Sequence, residues 1–233
     1  MAGLGSRFRK AGYTIPKYMI KAKNKTLFEW SIMSLKDYKS YTTKYIFIVR
    51  LEDNARDFIK YECSKLGIKN MEIIELDYTT DGQATSCMEA IPFCNEEESI
   101  MIYNIDTYVE PGTLKYDEIK GDGYLPCFNA PGEHWSFAKL DDNGKVIELA
   151  EKERISDNCT LGAYYFSSAK LYKKLYIEYY KDNKNMKNNE KYIAPMYNYL
   201  IKYNKDVQIS LIDYKDVHVL GTPEELDKFI NEE

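Results

Sequence analysis

The sequence predicts a single α/β domain with a mixed, mostly parallel central sheet flanked by helices and a small antiparallel portion in its second half. Three observations support this fold class. Short apolar, β-branched runs alternate with helical spacing up to about residue 105, which is the rhythm of a parallel sheet. Four short strand candidates follow, two of them separated by the turn sequence Asp142-Asn143-Gly144. No repeat or linker divides the 233 residues, a length that suits one large domain.

The first half contains three predicted strands, each a short buried apolar run. The helix between the first two is predicted to be capped by Asp53 and to stop at Gly67. The third strand places Asp106 at its carboxyl end. In chain order the predicted elements are strand Tyr45–Arg50, helix Asp53–Leu66, strand Met71–Leu76, helix Gly82–Ile91 and strand Ser99–Ile105.

The second half is predicted to contain short strands and then helices. The polar, Asn- and Lys-rich segment 181–189 is predicted to be a mobile loop. Thr222 and Pro223 form the cap and first position of a last helix. The other predicted elements are strands Gly123–Phe128, Ser136–Leu140, Val146–Ala150 and Leu161–Phe166, helices Ala169–Tyr180 and Lys191–Tyr203, and strand Val207–Ile212.

Composition excludes several classes of protein. The net charge of −5 argues against a nucleic-acid binder, because a phosphate backbone requires a basic face. No apolar run approaches the roughly 20 residues of a membrane-spanning helix, so no membrane partner is expected. The five cysteines are dispersed without C-x-x-C spacing, which predicts reduced thiols in a cytoplasmic protein. Assembly into a homo-oligomer is compatible with the sequence.

The N-terminal segment has the composition of a loop that holds phosphates. Gly3 and Gly5 allow the backbone to approach a phosphate closely, Ser6 adds a hydroxyl donor, and Arg7 adds a bidentate cation. Lys17 follows ten residues later, directly after a proline. The pattern is neither a Walker A loop nor the dinucleotide fingerprint. Such a loop normally follows a buried strand, and that strand is expected to be missing because the sequence begins inside the loop.

Asp106 is the candidate metal ligand. A carboxylate at the carboxyl end of a parallel strand lies in the crevice where α/β sheets bind ligands, and a magnesium triphosphate needs a hard oxygen ligand there. The alternative is a surface aspartate that closes a strand. Thr107 and Tyr108 follow, so the D-x-D motif of many glycosyltransferases is absent.

Residues 2–35 resemble the opening of the sugar-phosphate nucleotidyltransferases, also called nucleotide-sugar pyrophosphorylases. That opening reads A-G-x-G-[ST]-R-[FLM], then P-K, then a segment like residues 18–30 of this chain. The resemblance implies a Rossmann-like, GT-A-type fold. It also implies that Arg7, Lys17 and Asp106 are catalytic and that Asp106 binds Mg²⁺ or Mn²⁺. The nucleotide-binding loop residues would be Ala2, Gly3, Leu4, Gly5 and Ser6.

Two later segments resemble the substrate-binding motifs of this family. Thr80, Gly82 and Gln83 resemble its G-x-A segment, which binds the nucleobase; the alternative is an ordinary helix start capped by Asp81. The second is the series E-K … S-N … G-x-Y-x-F, which implies acceptor binding. Asp157 stands where serine is usual in that series. The residues of this chain that match it are Glu151, Lys152, Asn158 and Gly162.

The segment before the last helix resembles the family motif D-[IV]-G-T-P-E. Val219 stands where that motif has an aspartate that binds metal, so the second ligand has to come from elsewhere. Asp216 is predicted to replace it, with Asp213 and His218 as alternatives. Magnesium favours an aspartate over His218.

The resemblance implies transfer of a nucleoside monophosphate from a nucleoside triphosphate to a small phosphorylated acceptor, with release of pyrophosphate. The variant at residues 11–17 looks most like members that serve capsule and surface polysaccharides. Among these CTP is the favoured nucleotide, and phosphoglutamine or a sugar 1-phosphate is the expected acceptor. A GT-A glycosyltransferase and a catalytically idle nucleotide-binding protein remain alternative functions.

Overall fold

The computed structural model describes residues 1–232. The contacts divide the chain into two compact units. The first comprises Met1–Thr79, Asn104–Lys115 and the described residues from Lys215 onward, and the second comprises Thr80–Tyr103 and Tyr116–Tyr214. No helix within residues 1–232 has both the length and the apolar character needed to cross a membrane.

Thirteen strands and seven α-helices are present in the described residues. The strands are β1 Lys21–Ala22, β2 Lys25–Thr26, β3 Tyr45–Arg50, β4 Met71–Leu76, β5 Ile100–Tyr103, β6 Thr107–Val109, β7 Gly123–Phe128, β8 Ser136–Leu140, β9 Val146–Glu151, β10 Cys159–Thr160, β11 Ala163–Phe166, β12 Val207–Ile212 and β13 Val217–Val219. The helices are α1 Ser6–Lys10, α2 Leu27–Ser34, α3 Arg56–Lys65, α4 Gln83–Met88, α5 Ala169–Tyr179, α6 Tyr197–Lys202 and α7 Pro223–Asn231.

The first unit contains a parallel pair, β3 and β4, in the register Tyr45 to Met71. Helix α3 contributes Ile59 and Cys63 to the apolar cluster around these strands. Helix α2 begins where the Thr26 hydroxyl accepts a hydrogen bond from the backbone of Glu29 while the Glu29 carboxylate accepts one from the backbone N–H of Thr26. This capping box satisfies N–H groups that a helix start would otherwise leave without partners.

A second apolar cluster of the first unit supports the segment that carries Asp106. Strands β6 and β13 pair antiparallel there, with Val219 opposite Thr107. Trp30 of α2 packs on Tyr108 and Phe229, with ring centroids 4.7 and 5.2 Å apart. Such aromatic pairs contribute about 0.5–1.5 kcal/mol each beyond the area they bury. The cluster therefore fixes the strand that follows Asp106.

The second unit is built on a seven-stranded sheet in the order β5-β11-β7-β10-β8-β9, with β12 also paired to β7. Every residue of β7 is buried. Gly123 at its start has no room for a side chain, because a Cβ would lie 2.7 Å from Tyr197 and from Leu200 of α6. The Tyr197 hydroxyl donates to the backbone oxygen of Tyr165, 2.7 Å away, so a buried tyrosine joins the helix to the sheet.

The mixed α/β fold is confirmed, but the sheet is less parallel than predicted. Among the strands of residues 1–232, only β3 with β4 and β7 with β12 pair parallel, and the other pairings are antiparallel. Strand β5 pairs antiparallel with β11, so it does not continue the predicted parallel series. It also ends at Tyr103. Asp106 lies in the turn before β6, where the prediction had placed it at the end of a parallel strand.

Local predictions failed where side chains found tertiary partners. Asp53 does not cap α3, which begins at Arg56; its carboxylate instead accepts hydrogen bonds from Arg50 and Tyr18. The predicted helix from Lys191 begins only at Tyr197.

Segment 181–189 contains a short 3-10 turn and one side of a tight reverse turn. Within residues 1–232 no strand precedes the N-terminal loop.

Candidate functional site

The N-terminal loop of the first unit has the backbone geometry expected of a phosphate loop. Gly5 has φ +60° and precedes α1, a left-handed conformation that favours glycine. Ala2 is buried, whereas Leu4 is exposed. The first N–H groups of α1 have no acceptor inside the helix. Arg7 is exposed and forms no ion pair with the residues the structure describes, so its charge is available to a ligand.

Lys17 is held on a rigid turn. The short 3-10 helix Lys17–Met19 begins after Pro16, whose backbone oxygen accepts from Met19 at 2.9 Å. Tyr18 is buried, and its hydroxyl donates to Asp53 at 3.0 Å. These contacts fix the backbone that carries the Lys17 side chain.

Lys17 and Asp106, which lie 89 residues apart in the sequence, form an ion pair with Nζ and Oδ2 2.5 Å apart. Their side chains are 24% and 22% exposed, and both line an open cleft. The backbone oxygen of Asp106 accepts a hydrogen bond from Leu220 at 2.8 Å. The Ser31 hydroxyl donates to the backbone oxygen of Asn104 at 3.0 Å. Asp106 is thereby fixed from both sides.

The charge of Lys17 sets the ionisation of Asp106. Burial alone would raise the pKa of the Asp106 carboxyl, but the charge of Lys17 and its hydrogen bond outweigh that effect. The pKa of Asp106 is therefore lower than that of an ordinary aspartate. The carboxylate is ionised near neutral pH, as a ligand for a divalent cation must be.

Of the predicted phosphate-binding residues, Gly5, Ser6, Arg7 and Lys17 line one open cleft, whereas Ala2, Gly3 and Leu4 do not line it. Two cations and one carboxylate face this space, together with loop backbone. This is the arrangement that phosphoryl chemistry requires, since it depends on positioning and charge neutralisation. The lining residues are Gly5, Ser6, Arg7, Phe8, Lys17, Asp106 and Gly221.

The structure does not bring Asp216 to Asp106. Asp216 lies beside Glu110, whose N–H donates to its backbone oxygen, at the opposite end of the β6–β13 ladder. At about 3.3 Å per residue, four residues of strand separate the two aspartates by roughly 13 Å. His218 is engaged by Glu232, 3.1 Å from its Nδ1, and does not replace Asp216 as a ligand.

A carboxylate that sequence reasoning missed lies closer to Asp106. A Cβ on Gly221 would meet Asp106 Oδ2 at 3.1 Å and Glu225 Oε2 at 3.5 Å, so both carboxylates flank the same glycine. Glu225 also accepts from the N–H of Gly221 at 3.1 Å. Its position in the first turn of a helix gave no functional signal, because a glutamate there normally serves as a cap.

In the second unit, the close approach of the Lys191 backbone explains the glycine in the predicted base-binding segment. Gly82 has φ +143°, and a Cβ there would lie 2.4 Å from the backbone oxygen of Lys191. The Thr80 hydroxyl contacts the Ser86 hydroxyl at 2.6 Å. Gln83 is the first residue of α4. Asp81 forms no helix cap; its carboxylate pairs with Lys191, 2.8 Å away.

Glu151 and Lys152, the predicted acceptor-binding pair, differ strongly in exposure. Glu151 is buried and accepts from the Ser136 hydroxyl. Burial raises the pKa of Glu151 above its ordinary value, and the Ser136 bond and nearby lysines only partly offset this. Lys152 is exposed, has φ +51°, and places its Nζ 2.5 Å from the Tyr192 hydroxyl.

Asn158 and Gly162 flank the short strand β10, which belongs to the same sheet as Glu151. The Asn158 amide donates to the backbone oxygen of Ala138 at 3.0 Å, and the N–H of Ala138 donates to the Asn158 backbone oxygen at 2.9 Å. Asn158 therefore holds β8 in addition to any role with an acceptor. Gly162 is buried and has φ +84° between β10 and β11, a conformation that favours glycine.

Two residues that contact the predicted substrate segments were not found from the sequence. Lys191 and Tyr192 fall in a stretch whose spacing predicted a helix, so nothing marked them as partners of Asp81 and Lys152. Only the folded chain places them there.

Neither a protein-family model nor a curated protein sequence matches the chain. Solved structures match the chain. A nucleoside-diphosphate-sugar pyrophosphorylase from Vibrio cholerae RC9 is 38% identical with a TM-score of 0.91, covering 100% of this chain and 98% of its own.

Two solved structures below 25% identity share the fold. The inositol-1-phosphate CTP transferase from T. maritima has 16% identity and a TM-score of 0.75, over 99% of this chain and 94% of its own. A CTP:phosphocholine cytidylyltransferase from Streptococcus pneumoniae has 18% identity and a TM-score of 0.70, over 98% and 94%. With the Vibrio relative at 38% identity over the whole length, the chain belongs to the nucleotide-sugar pyrophosphorylase (sugar-phosphate nucleotidyltransferase) family.

Proposed function

We propose that the protein transfers a nucleoside monophosphate from a nucleoside triphosphate to a small phosphorylated acceptor and releases pyrophosphate. The observation that carries this proposal is the Lys17–Asp106 pair, 2.5 Å apart in a cleft that Arg7 and the glycine loop also line. A cleft with two cations and one ionised carboxylate suits a metal-bound triphosphate.

The reaction needs no strong general base. An oxygen of the acceptor phosphate, already anionic near neutral pH, attacks the α-phosphorus in line. A new P–O bond forms, the bond from the α-phosphorus to the bridging oxygen breaks, and pyrophosphate leaves with that oxygen. Loop N–H groups and Arg7 hold the triphosphate, and Lys17 stabilises the charge that develops at the reacting phosphate.

Mg²⁺ or Mn²⁺ is the proposed cofactor. Among residues 1–232 no group of three or more acidic, cysteine or histidine side chains forms a complete cage. Mg²⁺ commonly takes one or two carboxylates and completes its shell with water and substrate phosphates. The ionised Asp106 carboxylate fits this requirement, and the Glu225 carboxylate flanks the same glycine, Gly221. When bound, the cation neutralises phosphate charge.

CTP is the proposed nucleotide, and phosphoglutamine or a sugar 1-phosphate is the proposed acceptor, in capsule or surface-polysaccharide synthesis. Support comes from the sequence resemblance and from two structural neighbours, one named a CTP transferase and the other a CTP:phosphocholine cytidylyltransferase. The Vibrio relative, a nucleoside-diphosphate-sugar pyrophosphorylase, supports the sugar phosphate.

The remaining predicted site residues keep their proposed roles. Thr80, Gly82 and Gln83 are proposed to bind the nucleobase. The acceptor is proposed to contact the second-unit residues Glu151, Lys152, Asn158 and Gly162. The exposed ammonium of Lys152 is available to a phosphate, whereas the buried Glu151 suits a hydroxyl.

A pyrophosphate-release screen tests the function. CTP, UTP, dTTP, ATP and GTP are each combined with sugar 1-phosphates and with phosphoglutamine in the presence of magnesium. We expect release with one nucleotide and one acceptor, lost without metal. Sugar-nucleotide hydrolysis without pyrophosphate release would identify a glycosyltransferase, and metal-dependent nucleotide binding without turnover would identify an idle protein; either result contradicts the proposal.

A further inference from the structure

Residues 187–193, called the strap below, form one continuous segment of the second unit. Its first part is a reverse turn in which Lys187 and Glu190 exchange backbone hydrogen bonds of 3.1 and 2.9 Å. Asn188 and Asn189 both have positive φ, at +54° and +60°, as a type I′ turn requires. At its other end Ile193 is 1% exposed in the apolar core. The strap is therefore fixed at both ends.

On one side the strap is bonded to the segment that opens α4. The N–H of Lys191 donates to the backbone oxygen of Asp81 at 2.8 Å, and the N–H of Ala84 donates to the oxygen of Lys191 at 3.1 Å. The Lys191 ammonium pairs with Asp81 at 2.8 Å and is only 17% exposed. Gly82 permits this close approach, because a Cβ there would overlap the Lys191 backbone.

Two tyrosines of α5 and its end support the Lys191 side of the strap. The Lys191 Nζ donates to the Tyr176 hydroxyl at 3.3 Å, and it lies 5.5 Å from the ring centre of Tyr180. The Tyr176 hydroxyl in turn contacts Thr85 of α4 at 2.8 Å. The hydroxyl of Tyr180 donates to the backbone oxygen of Tyr192 at 2.5 Å. The strap is thereby locked to α4 through side chains as well as backbone.

On its other side the strap contacts Lys152. The Lys152 Nζ donates to the Tyr192 hydroxyl at 2.5 Å and lies 4.5 Å from the centre of the same ring. The Tyr192 hydroxyl donates to Glu190, which also lies 4.0 Å from the Lys152 ammonium. Lys187 donates to the backbone oxygen of Lys152 at 3.4 Å. The rotamer of Lys152 therefore depends on the strap.

Adjacent residues of one segment thus hold both proposed substrate-binding segments of this unit. We propose that the strap couples the two substrates, with Lys191 as positioning residue for the base-binding segment at Gly82 and Gln83, and Tyr192 as positioning residue for Lys152. This inference rests on the proposed function. A nucleotide that orders the start of α4 also orders the strap. Binding of the acceptor phosphate then costs less conformational entropy, because Lys152 is already ordered.

The decisive observation is whether a change on the Lys152 side of the strap alters nucleotide binding on its α4 side. We measure Kd by titrating α,β-methylene analogues of the five nucleotides, with magnesium, into wild type, Tyr192→Phe, Lys191→Met and the control Lys184→Met. Tyr192→Phe removes only the hydroxyl that faces Lys152 and Glu190. Coupling free energies of this kind correspond to about fivefold or more. We expect Tyr192→Phe to weaken nucleotide binding by about that factor with an unchanged unfolding temperature.

Lys184→Met removes a charge from an exposed position just before the strap and should leave Kd within about twofold of wild type. In the reverse direction, hydrogen–deuterium exchange should show that the nucleotide analogue protects residues 150–153 in wild type and fails to do so in Lys191→Met. If wild type binds no analogue, the proposed function fails and the inference with it. If wild type binds and Tyr192→Phe binds equally well, with no protection at residues 150–153, only the coupling is overturned.

Discussion

Asp106, 22% exposed in the first unit, and Glu151, buried in the second, are both proposed site carboxylates, yet their pKa values move in opposite directions. For each of them burial is the largest influence and raises the pKa. Lys17, 2.5 Å away, reverses the effect at Asp106. The hydrogen bond that Glu151 receives from neutral Ser136 does not. The difference shows that the partner, more than burial, decides whether a site carboxyl is kept ionised.

The same contrast extends through the two units. The first unit presents charge to its cleft and pairs it through residues far apart in sequence. The second unit holds its candidate residues with tyrosine hydroxyls and backbone, as Tyr192 and Tyr176 do at the strap. The candidate residues of the first unit are thus paired by charge, whereas those of the second unit are held largely by hydrogen bonds. Five experiments break or sharpen this comparison.

The largest effect is expected for Lys17→Ala, which removes the cation that the comparison depends on. Loss of one preorganised charge in such a site costs about 10²- to 10³-fold in turnover, and we expect this loss of pyrophosphate release with an intact circular dichroism spectrum. Lys10→Ala, an exposed lysine of α1, is the control. Near-normal turnover by Lys17→Ala would remove the central observation of the proposed function.

Arg50→Met tests whether the first unit also depends on paired charge for its stability. Arg50 is 4% exposed and pairs with Asp53, whose side chain is 3% exposed. Removing one member of a buried pair typically costs about 3–5 kcal/mol, because the other charge stays buried. Arg56→Met breaks a pair whose arginine is 45% exposed and should cost less than about 1 kcal/mol. Urea unfolding of both variants measures the difference, and equal losses would contradict the reading of Asp53 as a buried charge.

Gly82→Ala tests the backbone packing of the second unit. The alanine would adopt φ +143° and place its Cβ 2.4 Å from the Lys191 oxygen, at a cost of about 1–3 kcal/mol for the strained backbone alone. Gly144→Ala also has positive φ but meets no atom within 4 Å, so it should cost less. Thermal unfolding compares them. A Gly82→Ala protein as stable as Gly144→Ala would show that Lys191 does not restrict this position.

The smallest effect is expected for Glu151→Gln and concerns pH. Because the folded pKa of Glu151 is raised, the folded state binds its proton more tightly than the unfolded state, and this favours folding at low pH. The contribution is lost as pH rises through the folded pKa. The variant should therefore unfold at pH 7.5 at no lower a temperature than wild type. A clear loss of stability confined to pH 7.5 would mean that the ionised carboxylate stabilises the fold.

For Asp106, the dependence of stability on pH has the opposite sign. Its lowered pKa contributes stability above the pKa of an unfolded aspartate, and that stability is lost as pH falls through the folded pKa. The acid limb of residual turnover in Lys17→Ala should move to higher pH, because the largest influence that lowers the pKa of Asp106 against its burial is then removed. An unmoved acid limb would assign it to another group.

Local patterns in the sequence determined much of this protein. Runs such as Gly123–Phe128 and Val207–Ile212 predicted their strands with the observed bounds, because short runs rich in apolar residues favour a strand. Thr222 and Pro223 likewise marked the start of α7. The N-terminal loop and Lys17 were identified as candidates by residue type and spacing alone.

Tertiary structure decided what those patterns leave open. Strand direction and order depend on long-range pairing, so β5 joined β11 antiparallel where the local rhythm had predicted a parallel neighbour. The 2.5 Å pair between Lys17 and Asp106 spans 89 residues, and no spacing rule specifies such a contact. Asp216 was predicted from nearness in sequence, whereas the register of β13 against β6 carries it away and leaves Glu225 beside Asp106. Residue types defined the chemistry available to this chain, and the fold determined which charged groups meet, because distance and burial set their pKa values and their partners.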